Sequence, residues 1–148
     1  MTASRHIIIS FSLGAVVGFM TKSLYAGIIC FIAGFLIDLD HVIEYVIHYG
    51  WENFTIAKFY QACEQTGKKH GTLGFQRLYL IFHSIELMFS LWIIALFTKN
   101  IYVFAFTMGY SVHLLCDCLG NRHLYTSSYL IAVRAIKKFR TVKLFKKY

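Results

Sequence analysis

Apolar residues fall along the chain in four long runs, Ile7–Met20, Leu24–Ile37, Leu78–Phe97 and Ile101–Leu119. The last two approach the roughly twenty residues a helix needs to cross a bilayer. Thr98-Lys99-Asn100 makes a short hairpin between them. The first two runs are shorter and are broken only by "TKSLYAG". A helical hairpin with Lys22 snorkelling to the surface keeps that charge out of the apolar layer, whereas one long helix would carry it at mid-length. Between the second and third runs lies "WENFTIAKFYQACEQTGKKHGTLGFQR", opening with Trp51, Phe54, Phe59 and Tyr60. These aromatic residues predict an interfacial helix followed by a glycine-containing connector. Beyond the fourth run Leu130, Val133, Ile136, Phe139 and Val142 recur at helical spacing, with Lys and Arg on the other faces. That pattern predicts a helix lying on an anionic membrane surface. The predicted fold is therefore all-α: four transmembrane helices, an interfacial helix and a basic amphipathic C-terminal helix. It divides into a transmembrane domain over residues 1–121 and a surface tail over residues 122–148.

Composition supports this reading. Of 148 residues, 57% are hydrophobic and 15% charged, too apolar for a soluble domain of this length. The first run lacks a small-residue cleavage site and leads almost directly into the second, so a secretory signal is not expected. Proline is absent, which predicts largely unkinked helices. Cys30, Cys63, Cys116 and Cys118 form no C-x-x-C pair and read as reduced apolar filler.

The formal charge of +8 is uneven. Arg122, Arg134, Lys137, Lys138, Arg140, Lys143, Lys146 and Lys147 make the tail strongly basic, which suits anionic lipid headgroups. No nucleic-acid module accompanies it, so nucleic acid is not the expected partner. With four spans, Arg5, Lys58, Lys68, Lys69, Arg77 and the tail share one side, opposite Lys22 and Lys99. The basic side is expected to be cytoplasmic, giving a multi-pass protein with a cytoplasmic C-terminus. On that side the sequon at Asn53 carries no meaning.

The ionisable residues change the picture most. "FLIDLDHVIE", residues 35–44, ends an apolar run with Asp38, Asp40, His41 and Glu44. Five of the seven acidic residues, Asp38, Asp40, Glu44, Glu86 and Asp117, lie in or beside apolar runs, as do His41, His83 and His113. Charged groups at membrane depth are costly unless paired or lining a cavity. Counted from Arg77 and Leu119 at helical rise, His83 and His113 each lie about 9 Å in from the same side. His113 and Asp117 are spaced i, i+4 and share a helix face, Asp38 and His41 are i, i+3, and so are His83 and Glu86. Imidazole nitrogen combined with carboxylate oxygen suits Zn²⁺, Mn²⁺ or Fe²⁺. A lone H-x-x-x-D is commonly a hydrogen-bonded core pair, but the joint pattern predicts one polar site from Asp38, His41, His83, His113 and Asp117. Glu44 and His48 read as solvated. Glu86 reads as base or as a partner orienting His83, and His6, His70 and His123 as interfacial or loop residues.

"GFLIDLDH", "FHSIEL" and "GYSVHLLCDCL" resemble the D-x-D-H, H-S and helical H-x-x-x-D motifs of the bacterial membrane-bound metal-dependent hydrolases, the LexA-regulated inner-membrane type. The resemblance covers about residues 10–120 and leaves the tail outside. The basic-glycine element of that family is at best vestigial here, in "KKHGTLGFQR". The H-x-x-x-D pair is also similar to one in zinc-dependent phospholipase C. The resemblance implies a bacterial inner-membrane hydrolase with a divalent metal, Zn first and Mn or Fe as alternatives. Asp38, His41, His83, His113 and Asp117 would be its ligands, with Asp40 or Glu86 as general base or orienting partner. The expected substrate is a phosphoester or another ester of a lipid-like molecule. A proton or divalent-cation transporter is the alternative, and a non-enzymatic membrane anchor or interaction module is the third.

Overall fold

The computed structural model describes residues 3–66, 74–121 and 124–145. His70, Lys68, Lys69, Arg122, His123, Lys146 and Lys147 lie outside the described residues. The fold is all-α, as the apolar periodicity predicts. Its helices are α1 (Ala3–Thr21), α2 (Leu24–Leu36), α3 (Leu39–Tyr49), α4 (Ile56–Gln65), α5 (Ile85–Thr98), α6 (Ile101–Gly120), α7 (Ile131–Ile136) and α8 (Thr141–Leu144). Short 3₁₀ turns occupy Trp51–Asn53 and Thr126–Tyr129. Among the described residues, β pairing is confined to isolated bridges joining Arg77 to Arg140 and Leu124 to Phe145. The chain forms two compact units, Met1–Ile37 with Ser84–Arg122, and Asp38–His83 with His123–Tyr148.

In the first unit the first two runs form a hairpin. Lys22 takes a left-handed conformation (φ 51°) and Ser23 Oγ accepts from the Ala26 N–H at 3.3 Å, capping α2. The second hairpin uses the same chemistry: Lys99 is left-handed and Asn100 Oδ1 accepts from Tyr102 N–H at 2.8 Å. Small residues let the helices approach closely. A Cβ on Gly14 would stand 2.7 Å from the Gly27 carbonyl oxygen, and one on Gly109 would fall on the Cys30 carbonyl oxygen. Val17, Ala26, Cys30 and Ala105 form the apolar core. Trp92 Nε1 donates to Ser111 Oγ at 3.0 Å, tying α5 to α6. The outward faces are apolar too, Phe19 being 87% and Phe97 85% exposed.

Among the described residues, two stretches are long and apolar enough to cross a membrane by length and composition: Leu24–Tyr49, of 26 residues, and Ile101–Gly120, of 20. The apolar helices Arg5–Thr21 and Ile85–Thr98 are shorter. The third run departs from its expected helix over Leu78–Phe97, since α5 begins only at Ile85, capped by Ser84 Oγ accepting from Leu87 N–H at 3.0 Å. His83 therefore sits in a non-helical segment, and a depth counted along a helix from Arg77 does not apply to it. The physical reason is that side chains, not helical neighbours, satisfy the backbone of this segment.

The second unit packs Tyr45, Ala62, Phe75, Leu78 and Leu144 into one core. Helix α4 occupies the stretch predicted for the interfacial helix, capped by Thr55 Oγ1 accepting from Lys58 N–H at 3.3 Å. The C-terminal segment is not the single amphipathic helix expected. Lys138 and Phe139 are left-handed (φ 55° and 57°), breaking it into α7 and α8. Leu78 N–H donates to the Phe139 carbonyl at 2.9 Å and Thr141 Oγ1 to the Phe75 carbonyl at 2.6 Å. These bonds to the Phe75–Leu78 segment replace helical ones, and Arg134 points inward, 1% exposed. Ile136 and Val142 point outward, 82% and 80% exposed. All four cysteines are free thiols.

Candidate metal centre

On α6, His113 and Asp117 lie one turn apart and both are buried. His113 Nδ1 lies 2.5 Å from the Gly34 carbonyl oxygen. A carbonyl only accepts, so Nδ1 carries the proton. His113 Nε2 then faces Asp117 Oδ2 at 3.4 Å. The other carboxylate oxygen, Asp117 Oδ1, is 3.0 Å from His6 Nε2 and accepts from Asn121 Nδ2 at 3.1 Å. The His6 ring stacks on His113 with centroids 4.2 Å apart. His6 is 4% exposed, not the interfacial residue its position near the start of an apolar run predicts. The signal that could have found it is a lone imidazole at the head of a helix otherwise apolar on that face. Gly34 itself admits no side chain, because Ser10 occupies the space a Cβ would need.

Around His83 the carboxylates come from α3 and its N-cap. Asp40 Oδ2 accepts from the backbone N–H of Phe82 and, at 3.1 Å, from that of His83. The same oxygen lies 3.3 Å from His83 Nδ1. Nδ1 donates to it, which turns Nε2 toward Asp38 Oδ1, 3.9 Å away. His41 packs its ring 4.8 Å from that of His83. Glu44 is 2% exposed, a correction to the expectation that it is solvated. Its Oε2 accepts from Tyr79 N–H at 3.1 Å, and Oε1 lies 3.6 Å from His48 Nδ1. Helix α3 is amphipathic with its carboxylates inward, so the residues that look like a polar helix end in sequence serve a buried purpose.

Asp38 and His83 are each one peptide bond from the cap of an apolar helix. Asp38 follows Ile37, the C-cap of α2, and His83 precedes Ser84, the N-cap of α5. Covalent continuity alone therefore brings their backbones to those helix ends. Asp38 and His83 in the second unit, and His113 and Asp117 in the first, each offer one ligand atom, and these residues make up a cluster that could hold a metal ion. Three of the four residues are buried and Asp38 is half-buried. Two imidazole nitrogens and two carboxylate oxygens make a donor set suited to a first-row divalent ion.

The predicted site residues thus separate. Asp38, His83, His113 and Asp117 form the cluster, and His41 stands beside His83 outside it. Asp40 is committed to the Phe82–His83 backbone and the His83 ring. Glu86, half-buried in the first turn of α5, is not a member of the cluster. No protein-family model, curated protein or solved structure compared with the chain matches it, so the functional reading rests on these side chains.

Proposed function

We propose that the chain is a membrane-embedded, metal-dependent hydrolase in which Asp38, His83, His113 and Asp117 hold a divalent ion. The observation that carries this reading is the common orientation of two imidazoles. Each presents Nδ1–H to a fixed acceptor and turns Nε2 toward a carboxylate. Imidazole nitrogens and carboxylate oxygens turned toward one another among buried residues are a donor set that a divalent cation would join. A fixed Nδ1–H partner is the usual arrangement of a metal-bound histidine. Zn²⁺ is the first choice for the mixed nitrogen and oxygen set, with Mn²⁺ and Fe²⁺ as alternatives.

When bound, such an ion would act as a Lewis acid on a phosphoryl or acyl oxygen. The chain's own residues would orient the ligands: Asp40 on His83, and His6 with Asn121 on Asp117. With Asp40 engaged by backbone, Glu86 is the residue we assign to proton transfer. The substrate class is a phosphoester or another ester of a lipid-like molecule. Support comes from the outward apolar faces of the helices and from the exposed Arg77, Lys138, Arg140 and Lys143, which suit anionic headgroups. In this reading α1 and α5 cross the membrane beside the two longer stretches, making four spans. The basic side faces the cytoplasm of a bacterial inner membrane, in keeping with the motif resemblance to membrane-bound hydrolases.

The test is metal content by inductively coupled plasma mass spectrometry on untagged, detergent-purified protein, beside a H113Q/D117N variant. Near-stoichiometric Zn, Mn or Fe in the parent, lost from the variant, is the expected result. Background metal in both, even after reconstitution, would sink the reading. A loaded protein that turns over no phosphoester or lipid ester would remove the hydrolytic step. His113-dependent cation uptake by proteoliposomes would then favour transport.

A further inference from the structure

We infer that Arg134, from the C-terminal segment, is a positioning residue for His83, so that the segment is a working part of the metal centre. The inference rests on the metal reading proposed above. His83 comes from a stretch, Tyr79–His83, that has no helix or strand to fix it. Its backbone is instead gripped from two sides by buried side chains. The carbonyl side faces Arg134: its guanidinium donates to the Tyr79 carbonyl, to the Leu80 carbonyl at 2.6 Å and to the His83 carbonyl at 2.9 Å. The amide side faces α3: Glu44 takes the Tyr79 N–H, and Asp40 takes those of Phe82 and His83.

A buried cation and two buried carboxylates thus meet across one strip of peptide, each aligned with the peptide dipoles it faces. Each ion has charge-assisted hydrogen bonds, the condition for burying it without a large penalty. For His83 the consequence is specific. Its N–H is held by Asp40 at 3.1 Å, its Nδ1 by the same oxygen at 3.3 Å, and its carbonyl by Arg134 at 2.9 Å. With both ends of the residue and one ring nitrogen fixed, Nε2 has little freedom left. Pre-set ligand direction of this kind raises metal affinity, because less ordering remains to be done on binding.

Only arginine can do this from one position. Its planar fork spreads donors over several acceptors, whereas a lysine ammonium is a single point. In sequence Arg134 reads as one more charge on a lipid-facing helix. In the structure it is 1% exposed, while its neighbours Ala135 and Ile136 are exposed. The basic segment therefore has two faces, an outer one and an inner one that braces the metal-ligand loop.

The test compares the parent with R134K and R134A as full-length proteins in detergent. Zn²⁺ affinity is measured by competition with a chelating dye. Amide hydrogen exchange over residues 79–83 is measured on the metal-free proteins. We expect R134K to weaken Zn²⁺ binding at least about tenfold and to speed exchange at Phe82 and His83, with helicity unchanged. R134A should do the same, with affinity restored by low millimolar guanidinium and not by equal sodium chloride. Parent-like affinity in R134K, or a loss in R134A that guanidinium does not reverse, overturns the positioning role. If the parent itself binds no Zn²⁺, the metal reading falls, and exchange in R134K still decides whether Arg134 fixes the loop.

Discussion

His83 gives its Nδ1 to Asp40 Oδ2 at 3.3 Å, and the same carboxylate oxygen also takes the His83 backbone N–H. One side chain therefore sets both the position and the ring orientation of a candidate ligand. Asp40→Asn keeps a carbonyl oxygen but loses the charge that strengthens these bonds. We expect metal affinity to fall roughly 10–100-fold, the usual cost of removing a partner behind a ligand. Competitive Zn²⁺ titration of the detergent-purified variant checks it, and parent-like affinity would take Asp40 out of this role.

His6 should matter in the same way through Asp117. Its Nε2 stands 3.0 Å from Asp117 Oδ1 while Asp117 Oδ2 faces His113. His6→Ala is expected to lower metal retention on the order of tenfold, and His6→Gln, whose amide can still donate, to lose much less. Equal retention in all three proteins after dialysis against a weak chelator would count against it.

Metal binding should also stabilise the fold. On the proposed reading the four ligands come together only in the folded chain, so added Zn²⁺ should raise the melting temperature with concentration. At a hundredfold excess over Kd the gain is about 2.7 kcal/mol. A chelator should reverse the shift, and H113Q/D117N should show none. The measurement is a thermal-shift series in detergent across Zn²⁺ concentrations.

Helix packing gives an independent test that involves no metal. Gly109 faces the backbone of Cys30, and an added Cβ would meet its carbonyl oxygen. Gly109→Ala must push α6 from α2, with a cost of about 1–3 kcal/mol or more, as overpacking usually carries. Thermal unfolding monitored by circular dichroism in detergent should show a clear drop. An unchanged melting temperature would mean the two helices are not packed this closely.

Cys63 gives a pH-dependent prediction. Burial, helped by the negative charge of Asp38, pushes its thiol up from 9.0 to about 12. Between about pH 9 and 12 the unfolded chain gives up this proton while the folded chain keeps it. Stability should therefore fall as pH rises through that window, with no contribution below it. Cys63→Ala should flatten the slope in denaturant titrations at alkaline pH. Alkylation of Cys63 in the native protein at pH 8 should be far slower than after denaturation.

The sequence by itself determined the helical character and both tight hairpins, and it singled out Asp38, His83, His113 and Asp117 together with His41, which stands outside the cluster. Those features are local: apolar runs, the short breaks at "TKSLYAG" and Thr98-Lys99-Asn100, and an i, i+4 pair on α6. The tertiary structure alone decided which polar residues are buried and what they hold. His6 meets Asp117 across more than a hundred residues, and Arg134 meets the His83 loop fifty-one residues away. Neither separation has a periodic signature. Helical periodicity instead favoured extending the third run through Leu78–His83 and drawing the tail as one helix. Both expectations failed for the same physical reason. Buried Asp40, Glu44 and Arg134 offer the Tyr79–His83 backbone charged partners, and Phe75–Leu78 takes the tail's hydrogen bonds. Pattern along a chain reports what each segment would do alone, whereas hydrogen-bond satisfaction in a dry interior is settled only once the segments have met.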